Sequence, residues 1–369
     1  MTFVMAGGGT GGHVIPAIAV AREIALAGHV AQFVGTERGV EARLVPAAGF
    51  PLAKIRVGGV KNLGVLTKLN SIWRLLAETV AQWRCFGVWQ PAAVFSMGGY
   101  VAGPPVLAAL ARGVPVIVME PNAVPGATNR WIARWVRRAL ISFEETRRFF
   151  PPDRTELTGL PVRGEFFSIP AKQPAAEFTV LITGGSQGSR ALNNAALESW
   201  PMFREAGLPV RFIHQTGASM HDELAREFAT AGLNGEVVSF IADMPVAFAQ
   251  ADLIVSRSGA GAVSELAAAG KPSVLVPFPF AADDHQTKNG EALERVGAAI
   301  LSNDRDWTGA KLFQTVSALQ ADPERLLAMG GAARRLARPG SARRAAEILI
   351  SEALKGSKSI DSSGPGPKQ

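Results

Sequence analysis

The chain has 369 residues, 47% of them hydrophobic and 19% charged, which is too much for one ordinary core, excludes disorder as the default and sets two domains as the expectation. Cys85 is the sole cysteine, which excludes an intramolecular disulfide and a cysteine-rich zinc site and reads as a cytoplasmic protein. The net charge of +7 is uneven, with 18 Lys+Arg against 9 Asp+Glu in residues 1–163 and 20 against 22 in the remainder, so an acidic partner meets the first half.

In chain order, the first segment is TFVMA, entered without a basic leader or cleavage site. No apolar run of about 18 residues occurs anywhere, so neither a signal peptide nor a transmembrane helix is expected. TFVMA, AQFVG, AAVFS, PVIVME and RALIS read as strands, with IPAIAVAREIALAG and GPPVLAALARG as helices between them. That alternation implies parallel strands joined by helical crossovers. After the turn-rich LTGLPVRGEFFSIPAKQPAAE the pattern restarts with FTVLITGGSQGSRALNNAALE, followed by the strand candidates VRFIHQTG, EVVSFI, ADLIVSRSG and PSVLVPF. The repeat implies an α/β protein of two Rossmann-like, doubly wound domains. The expected bounds are 1–163 and 164–355, with a junction near 160–176 and a disordered tail at 356–369.

Three glycine-rich turns stand between a strand and a helix. In AGGGTGGH, Gly7, Gly9 and Gly12 satisfy G-x-G-x-x-G. Glycines let backbone approach a phosphate, and the helix start that follows offers unpaired N–H groups. A dinucleotide site would want an acidic residue after the second strand, where Glu37 stands; a plain tight turn is the other reading. The second turn is Gly184-Gly185-Ser186-Gln187-Gly188-Ser189, in which Ser186 adds a hydroxyl donor. The third is SRSGAGAVSE, where Glu265 is either a ribose-gripping carboxylate or a helix-dipole partner.

Residues 61–90 place Leu66, Leu69, Trp73, Leu76, Val80 and Trp83 at helical spacing among Lys61, Lys68, Arg74 and Arg84. The pattern fits a core helix with a solvated face, and it also fits an interfacial helix on an anionic bilayer. Nucleic acid is not expected, since no aromatic-interleaved RNA motif or recognition helix occurs.

Taken together, GGGTGGHVIPAIAVA, FSMGGYVAGPP, EPNAVPGATNR, GLPVR, GGSQGSRALN, RSGAGAVSELAAAGKP and PFPFAADDHQTKNGEAL, in this order from about residue 3 to 350, closely resemble the MurG family. The resemblance implies a GT-B fold, two Rossmann-like domains facing across a cleft. It further implies an inverting glycosyltransferase that moves GlcNAc from UDP-GlcNAc to lipid I, making lipid II for peptidoglycan. The donor would sit in the C-terminal domain and the lipid acceptor in the N-terminal one. Carried over by motif, donor contacts fall on Thr10, Gly11, Gly12, Asn122, Arg163, Ser186, Ile241, Ala260, Gly261, Ala262, Val263, Ser264, Glu265 and Gln286, with Glu265 on the ribose. His13, by residue type and place at the loop mouth, is the candidate base that deprotonates the acceptor C4 hydroxyl.

Some positions depart from the pattern. Where some members have HEQN this chain has Met119-Glu120-Pro121-Asn122, and a Leu-Thr pair of some members is Gly261-Ala262. No D-x-D motif is read as holding a metal against the pyrophosphate, and Asp283-Asp284-His285 reads as a loop and helix cap. No metal or other cofactor is therefore expected; helix N-termini, Ser186 and Arg163 would stabilise the leaving pyrophosphate. A hinge near 160–176 would exclude water. An acceptor anchored in a membrane also calls for peripheral docking on the cytoplasmic face of the inner membrane through part of 61–90, with a cell-wall synthesis complex as a further partner. The rival readings are a UDP-GlcNAc 2-epimerase, a non-catalytic nucleotide-binding module, and a GT-B transferase with another lipid acceptor.

Overall fold

The computed structural model describes residues 1–58, 65–172 and 177–361, with backbone alone at 65–72 and 357–361. Lys61, residues 173–176 of the expected junction and tail residues 362–369 lie outside the described residues, as do the side chains of Leu66, Lys68 and Leu69.

The chain forms two compact units, residues 1–161 with 340–369, and residues 162–339. The first holds strands β1 (Thr2–Ala6), β2 (Val30–Thr36), β3 (Leu52–Ile55), β4 (Ala93–Ser96), β5 (Val116–Glu120), β6 (Arg138–Ile141) and β7 (Thr155–Leu157). They make one sheet in the order β3-β2-β1-β4-β5-β6-β7, every pair parallel. Its helices are α1 (Gly11–Leu26), α2 (Glu41–Ala47), α3 (Val65–Trp89), α4 (Gly99–Ala111) and α5 (Ala127–Ile132). Strands buried on both faces read as continuous apolar runs, and β1, β4 and β5 do so: Phe3, Val4, Met5, Val94, Phe95, Ile117 and Val118 are fully buried.

The second unit repeats the plan. Strands β8 (Phe178–Thr183), β9 (Val210–Gln215), β10 (Asn234–Val238), β11 (Leu253–Ser256), β12 (Ser273–Leu275) and β13 (Ala299–Leu301) order as β10-β9-β8-β11-β12-β13, again parallel. Helices α6 (Arg190–Ala206), α7 (His221–Ala231), α8 (Met244–Gln250), α9 (Ala260–Ala269), α10 (His285–Arg295), α11 (Gly309–Gln320) and α12 (Pro323–Leu336) cover it. Trp200 of α6 is buried edge-on against Phe228 of α7 at 5.1 Å between ring centroids.

The expected domain ends need correction. Helix α13 (Ser341–Asp361) groups with the first unit, not the second, and takes in residues 356–361 that the sequence reading assigns to a disordered tail. Ala345, Ala346, Ile348, Leu349 and Ala353 of α13 are buried, and α13 packs against α1. Ion pairs Arg137–Glu352 (3.0 Å) and Arg344–Glu156 (2.6 Å) fix its register. An amphipathic pattern reports that a helix has a buried face but not which sheet buries it.

In each sheet the strand order reverses once, between β1 and β4 and between β8 and β11. Ligands of open parallel sheets bind outside the carboxyl ends of strands at such points. All three glycine turns stand there: residues 7–10 follow β1, 184–189 follow β8, and 257–259 follow β11.

Candidate active site

In the first unit Gly9 adopts φ +84°, a conformation open to glycine, and its N–H donates to Glu41 Oε2 at 2.8 Å. The same carboxylate accepts from Thr36 N–H (2.9 Å) and the Thr36 hydroxyl (2.7 Å). Glu41 is fully buried. Burial pushes its carboxyl up, but the bonds from Thr36 and Gly9 outweigh this and hold it below the ordinary range. Three glycines make room: a Cβ on Gly8, Gly35 or Gly39 would stand 2.5, 2.5 or 2.1 Å from a Glu41 side-chain atom. Sequence reasoning missed Glu41 and looked instead to Glu37, which is exposed. The only signal was the clustering of glycines on three segments around one acidic residue.

Thr10 caps α1 by backbone position without a side-chain cap, and His13 follows in the first turn, half-buried. His13 Nδ1 lies 3.3 Å from Gly8 O. A carbonyl only accepts, so this contact puts the proton on Nδ1 and leaves the lone pair of the neutral ring on Nε2, the form a general base needs. Gly99, at the start of α4, faces the imidazole: a Cβ there would meet Nδ1 at 3.5 Å.

Asn122 stands on the loop after β5. Its backbone and side-chain N–H groups donate to Glu120 Oε1 at 3.0 and 3.2 Å. Glu120 also accepts from Asn129 Nδ2 (2.9 Å) and Gly126 N–H (3.3 Å). Burial raises the Glu120 carboxyl to about 7 against these bonds. The sequence reading named Asn122 alone; Glu120 is what shapes the EPNAVPG turn around it.

The second unit contains a cavity of about 820 Å³ at its strand-order reversal, bordered by Gly184, Gly185, Gly188, Ala262, Glu265 and Gln286 among others. The volume suits a nucleotide-sized ligand. The N-terminus of α9 borders it through Gly259 and Ala262, bringing a partial positive charge to its wall. Ser186 is exposed at the tip of the glycine turn. Gly188 cannot carry a side chain, since φ is +74° and a Cβ would stand 1.8 Å from Thr216 O.

Of the predicted α9 run, Ala260, Gly261, Ala262, Ser264 and Glu265 are accessible in part, whereas Val263 turns its side chain into the core at 1% exposure. Burial raises the Glu265 carboxyl to about 7, opposed by the positive charge of Arg163. Arg163 itself lies over the Phe166 ring at 5.0 Å. Gln286 Oε1 accepts from Phe278 N–H at 3.0 Å, which holds the cavity wall at 278–280.

Two residues that sequence reasoning missed organise this site. Gln215, 1% exposed, donates from Nε2 to Gly185 O (2.8 Å) and the Thr183 hydroxyl (3.2 Å), while Oε1 accepts from Ile241 N–H (2.8 Å). It braces the glycine turn against the Ile241 loop. Arg257 donates to Val276 O and Pro277 O, each at 3.0 Å, and pairs with Asp304. Its charge is thus committed to the wall. Among the described residues no group of three or more His, Cys, Asp or Glu side chains is placed to hold a metal ion. Asp283 and Asp284 have left-handed backbone, and Asp284 Oδ1 accepts from the Thr287 hydroxyl at 2.6 Å.

Comparison with known proteins follows this division. Residues 3–141 match the glycosyltransferase family 28 N-terminal domain and residues 179–346 the family 28 C-terminal domain. A protein of Solibacter usitatus named UDP-N-acetylglucosamine--N-acetylmuramyl-(pentapeptide) pyrophosphoryl-undecaprenol N-acetylglucosamine transferase is 61% identical over 348 residues, 94% of this chain and 95% of that protein. The crystal structure of Acinetobacter baumannii MurG superposes with a TM-score of 0.80 at 32% identity, covering 95% of this chain and 99% of that one. UDP-GlcNAc 2-epimerase from Neisseria meningitidis shares the fold at a TM-score of 0.65 and 14% identity, with 96% and 100% coverage. The chain belongs to glycosyltransferase family 28 and, within it, to the GT-B enzymes of the MurG family.

Proposed function

We propose that this chain transfers GlcNAc from UDP-GlcNAc, with inversion, to the C4 hydroxyl of MurNAc in undecaprenyl-pyrophosphoryl-MurNAc-pentapeptide, converting lipid I to lipid II for peptidoglycan. The observation that carries the reading is the 61% identity, across 94% of the chain, to a relative named for that reaction. The epimerase alternative has only a shared fold behind it, at 14% identity.

In this reading the first unit presents the acceptor to His13 and the second holds the donor. Nε2 of His13 takes the hydroxyl proton as the oxygen attacks the anomeric carbon, and the bond from that carbon to the UDP oxygen breaks on the opposite face. General-base assistance of this kind is worth about 10²–10⁴ in rate. The N-terminus of α9, the Ser186 turn and Arg163 stabilise the charge on departing UDP. Glu265 accepts from the ribose hydroxyls, and Thr10, Gly11, Gly12, Asn122, Ile241 and Gln286 complete the donor contacts. Divalent metal is not required in this scheme.

Peripheral attachment to the cytoplasmic face of the membrane belongs to the same reading. What supports it is α3, which exposes Trp73 (71%), Leu76 (52%), Val80 (52%) and Trp83 (44%) beside Arg74 and Arg84. No described helix is long and apolar enough to cross a membrane.

The test is transfer of labelled GlcNAc from UDP-GlcNAc by the purified protein in EDTA, with and without a short-chain lipid I analogue. Acceptor-dependent disaccharide lipid is expected. Conversion of UDP-GlcNAc without acceptor would replace the reading by the epimerase, and activity appearing only after Mg²⁺ is restored would remove the metal-free scheme.

A further inference from the structure

We propose that an apolar cavity in the first unit, bordered by Val57, Leu75, Tyr100, Val106, Leu107 and Trp131, receives the first isoprene units of the acceptor's own prenyl chain; this rests on the function proposed above. The cavity measures about 360 Å³ and lies between the end of β3 and helices α3, α4 and α5. Among the described residues none that borders it is charged, and their side-chain polar groups are the hydroxyls of Tyr100 and Thr128 and the indole N–H of Trp131. Sugar, peptide or pyrophosphate would lose water there without gaining partners, whereas branched hydrocarbon loses nothing. Gly103 contributes bare backbone to the wall, and a Cβ there would press on Leu75 Cδ1 at 3.2 Å.

The position of the two hydroxyl residues sets the direction in which a chain would enter. Thr128 Oγ1 donates to Gly99 O at 3.1 Å, and Gly99 is the residue that faces His13 Nδ1. The Tyr100 ring lies 3.5–3.9 Å from where a Gly9 Cβ would stand, so it separates the first glycine turn from the cavity. Along this wall the chemistry runs from the imidazole, through glycine-rich backbone, to hydrocarbon. An acceptor of the class named for the relatives has the same order: a reacting sugar hydroxyl, a pyrophosphate on the far side of that sugar, then prenol.

The cavity is distinct from the face of α3 that would meet a bilayer. Trp73, Leu76 and Val80 point to solvent, while Leu75 between them is half-buried and borders the cavity. Bilayer lipid can cover the exposed face, whereas the cavity lies across the Tyr100 ring from the first glycine turn, on the side where a chain tethered to the reacting sugar would run.

The experiment uses the full chain in solution, without vesicles, and two acceptors with the same pyrophosphoryl-MurNAc-pentapeptide, one on a two-isoprene chain and one on a methyl group. Wild type is expected to show a KM about tenfold lower for the prenyl acceptor. Leu107→Trp, which fills the cavity, raises that KM to the methyl value while the KM for UDP-GlcNAc and binding to phosphatidylglycerol vesicles stay put. A prenyl preference that survives Leu107→Trp, or that disappears only together with vesicle binding, would overturn the proposal. Because Leu107→Trp can fail to fold, a diazirine on the first isoprene of the prenyl acceptor gives a second reading in wild type. Label is expected on peptides spanning residues 100–107 and 128–132 and on Leu75, and label confined to 76–83 would overturn the proposal. Absence of transfer to both acceptors would instead sink the function on which it rests.

Discussion

Gly9 N–H donates to Glu41 Oε2 at 2.8 Å across 32 residues of chain, tying the glycine turn before His13 to the first residue of α2. Glu41→Ala strands donors of Gly9 and Thr36 in a buried site, at about 1–3 kcal/mol each. Glu41→Gln keeps the shape but offers one acceptor oxygen where the carboxylate offers two. We expect both variants to lose several degrees of melting temperature and to lose turnover beyond what the folded fraction explains, since the turn carries Gly8 O, the partner of His13. The carboxyl is held below its ordinary 4.5, so its contribution is full above that value and is lost as the pH falls through the folded pKa. Melts of wild type and Glu41→Gln should therefore converge in acid; a constant gap would contradict this account.

His13→Ala removes the base but not the turn. Turnover should fall about 10²–10⁴-fold, with the affinity for UDP measured by calorimetry little changed. A comparable loss of UDP affinity would reassign His13 to donor binding.

The alternation of apolar runs with helical patterns made both parallel sheets legible, because doubly covered strands such as β1 and β5 carry one polar residue each, Thr2 at the start of one and Glu120 at the end of the other. The strands missed were β3, β7 and β13; all three are sheet edges and mostly half-buried, so they lack the long apolar run that marks a strand covered on both faces. The glycine turns were legible because a bare backbone at a strand end has few other uses. Glu41 and Gln215 were not, because each matters for what it touches far along the chain, and no local pattern distinguishes a buried carboxylate or amide from a surface one. Helix α13 failed for the same reason: its apolar face is local, its partner α1 is not.

Glu265 gives donor binding a pH dependence with a definite sign. Burial raises its carboxyl to about 7 in the ligand-free protein, against Arg163. In the proposed scheme the ionised form accepts the ribose hydroxyls, so the KM for UDP-GlcNAc should rise as the pH falls below about 7 and be flat in Glu265→Gln. The folded protein, by contrast, favours the proton: the stabilisation is present below the unfolded pKa and fades as the pH rises through about 7. A donor KM in wild type that ignores pH between 6 and 8, on the order of one unit either side of that value, would remove Glu265 from the ribose.

Gln215 tests whether the donor turns are braced as a unit. Gln215→Leu preserves bulk and cuts the bonds to Gly185, Thr183 and Ile241. Gly185 O still accepts from Gly188 N–H and the Thr183 hydroxyl from Gly185 N–H, so the loss falls on the half-buried Ile241 N–H, at about 1–3 kcal/mol. We expect the KM for UDP-GlcNAc to rise about tenfold or more while the acceptor KM holds. Parallel changes in both constants would mean that the substitution loosens the unit as a whole rather than the donor site.

The face of α3 argues for a surface role that stability alone cannot explain. Trp73, at 71% exposure, and Leu76 and Val80, at 52% each, leave half or more of their surface in solvent, and exposed large apolar groups clustered on one helix mark an interaction site. Trp83 differs: Arg112 lies over its ring at 4.0 Å and donates to its carbonyl at 2.6 Å, so it is fixed by the fold as well. Replacing Trp73, Leu76 and Val80 by serine should therefore leave the melting temperature within about 1 kcal/mol of wild type in stability, as for surface changes generally, yet abolish flotation with phosphatidylglycerol vesicles. Basic residues add about 1 kcal/mol each near an anionic surface, so wild-type binding should also weaken with salt. Activity on a short-chain acceptor in solution should survive the triple substitution, while activity on acceptor embedded in vesicles falls; equal loss on both would mean that α3 serves catalysis and not attachment.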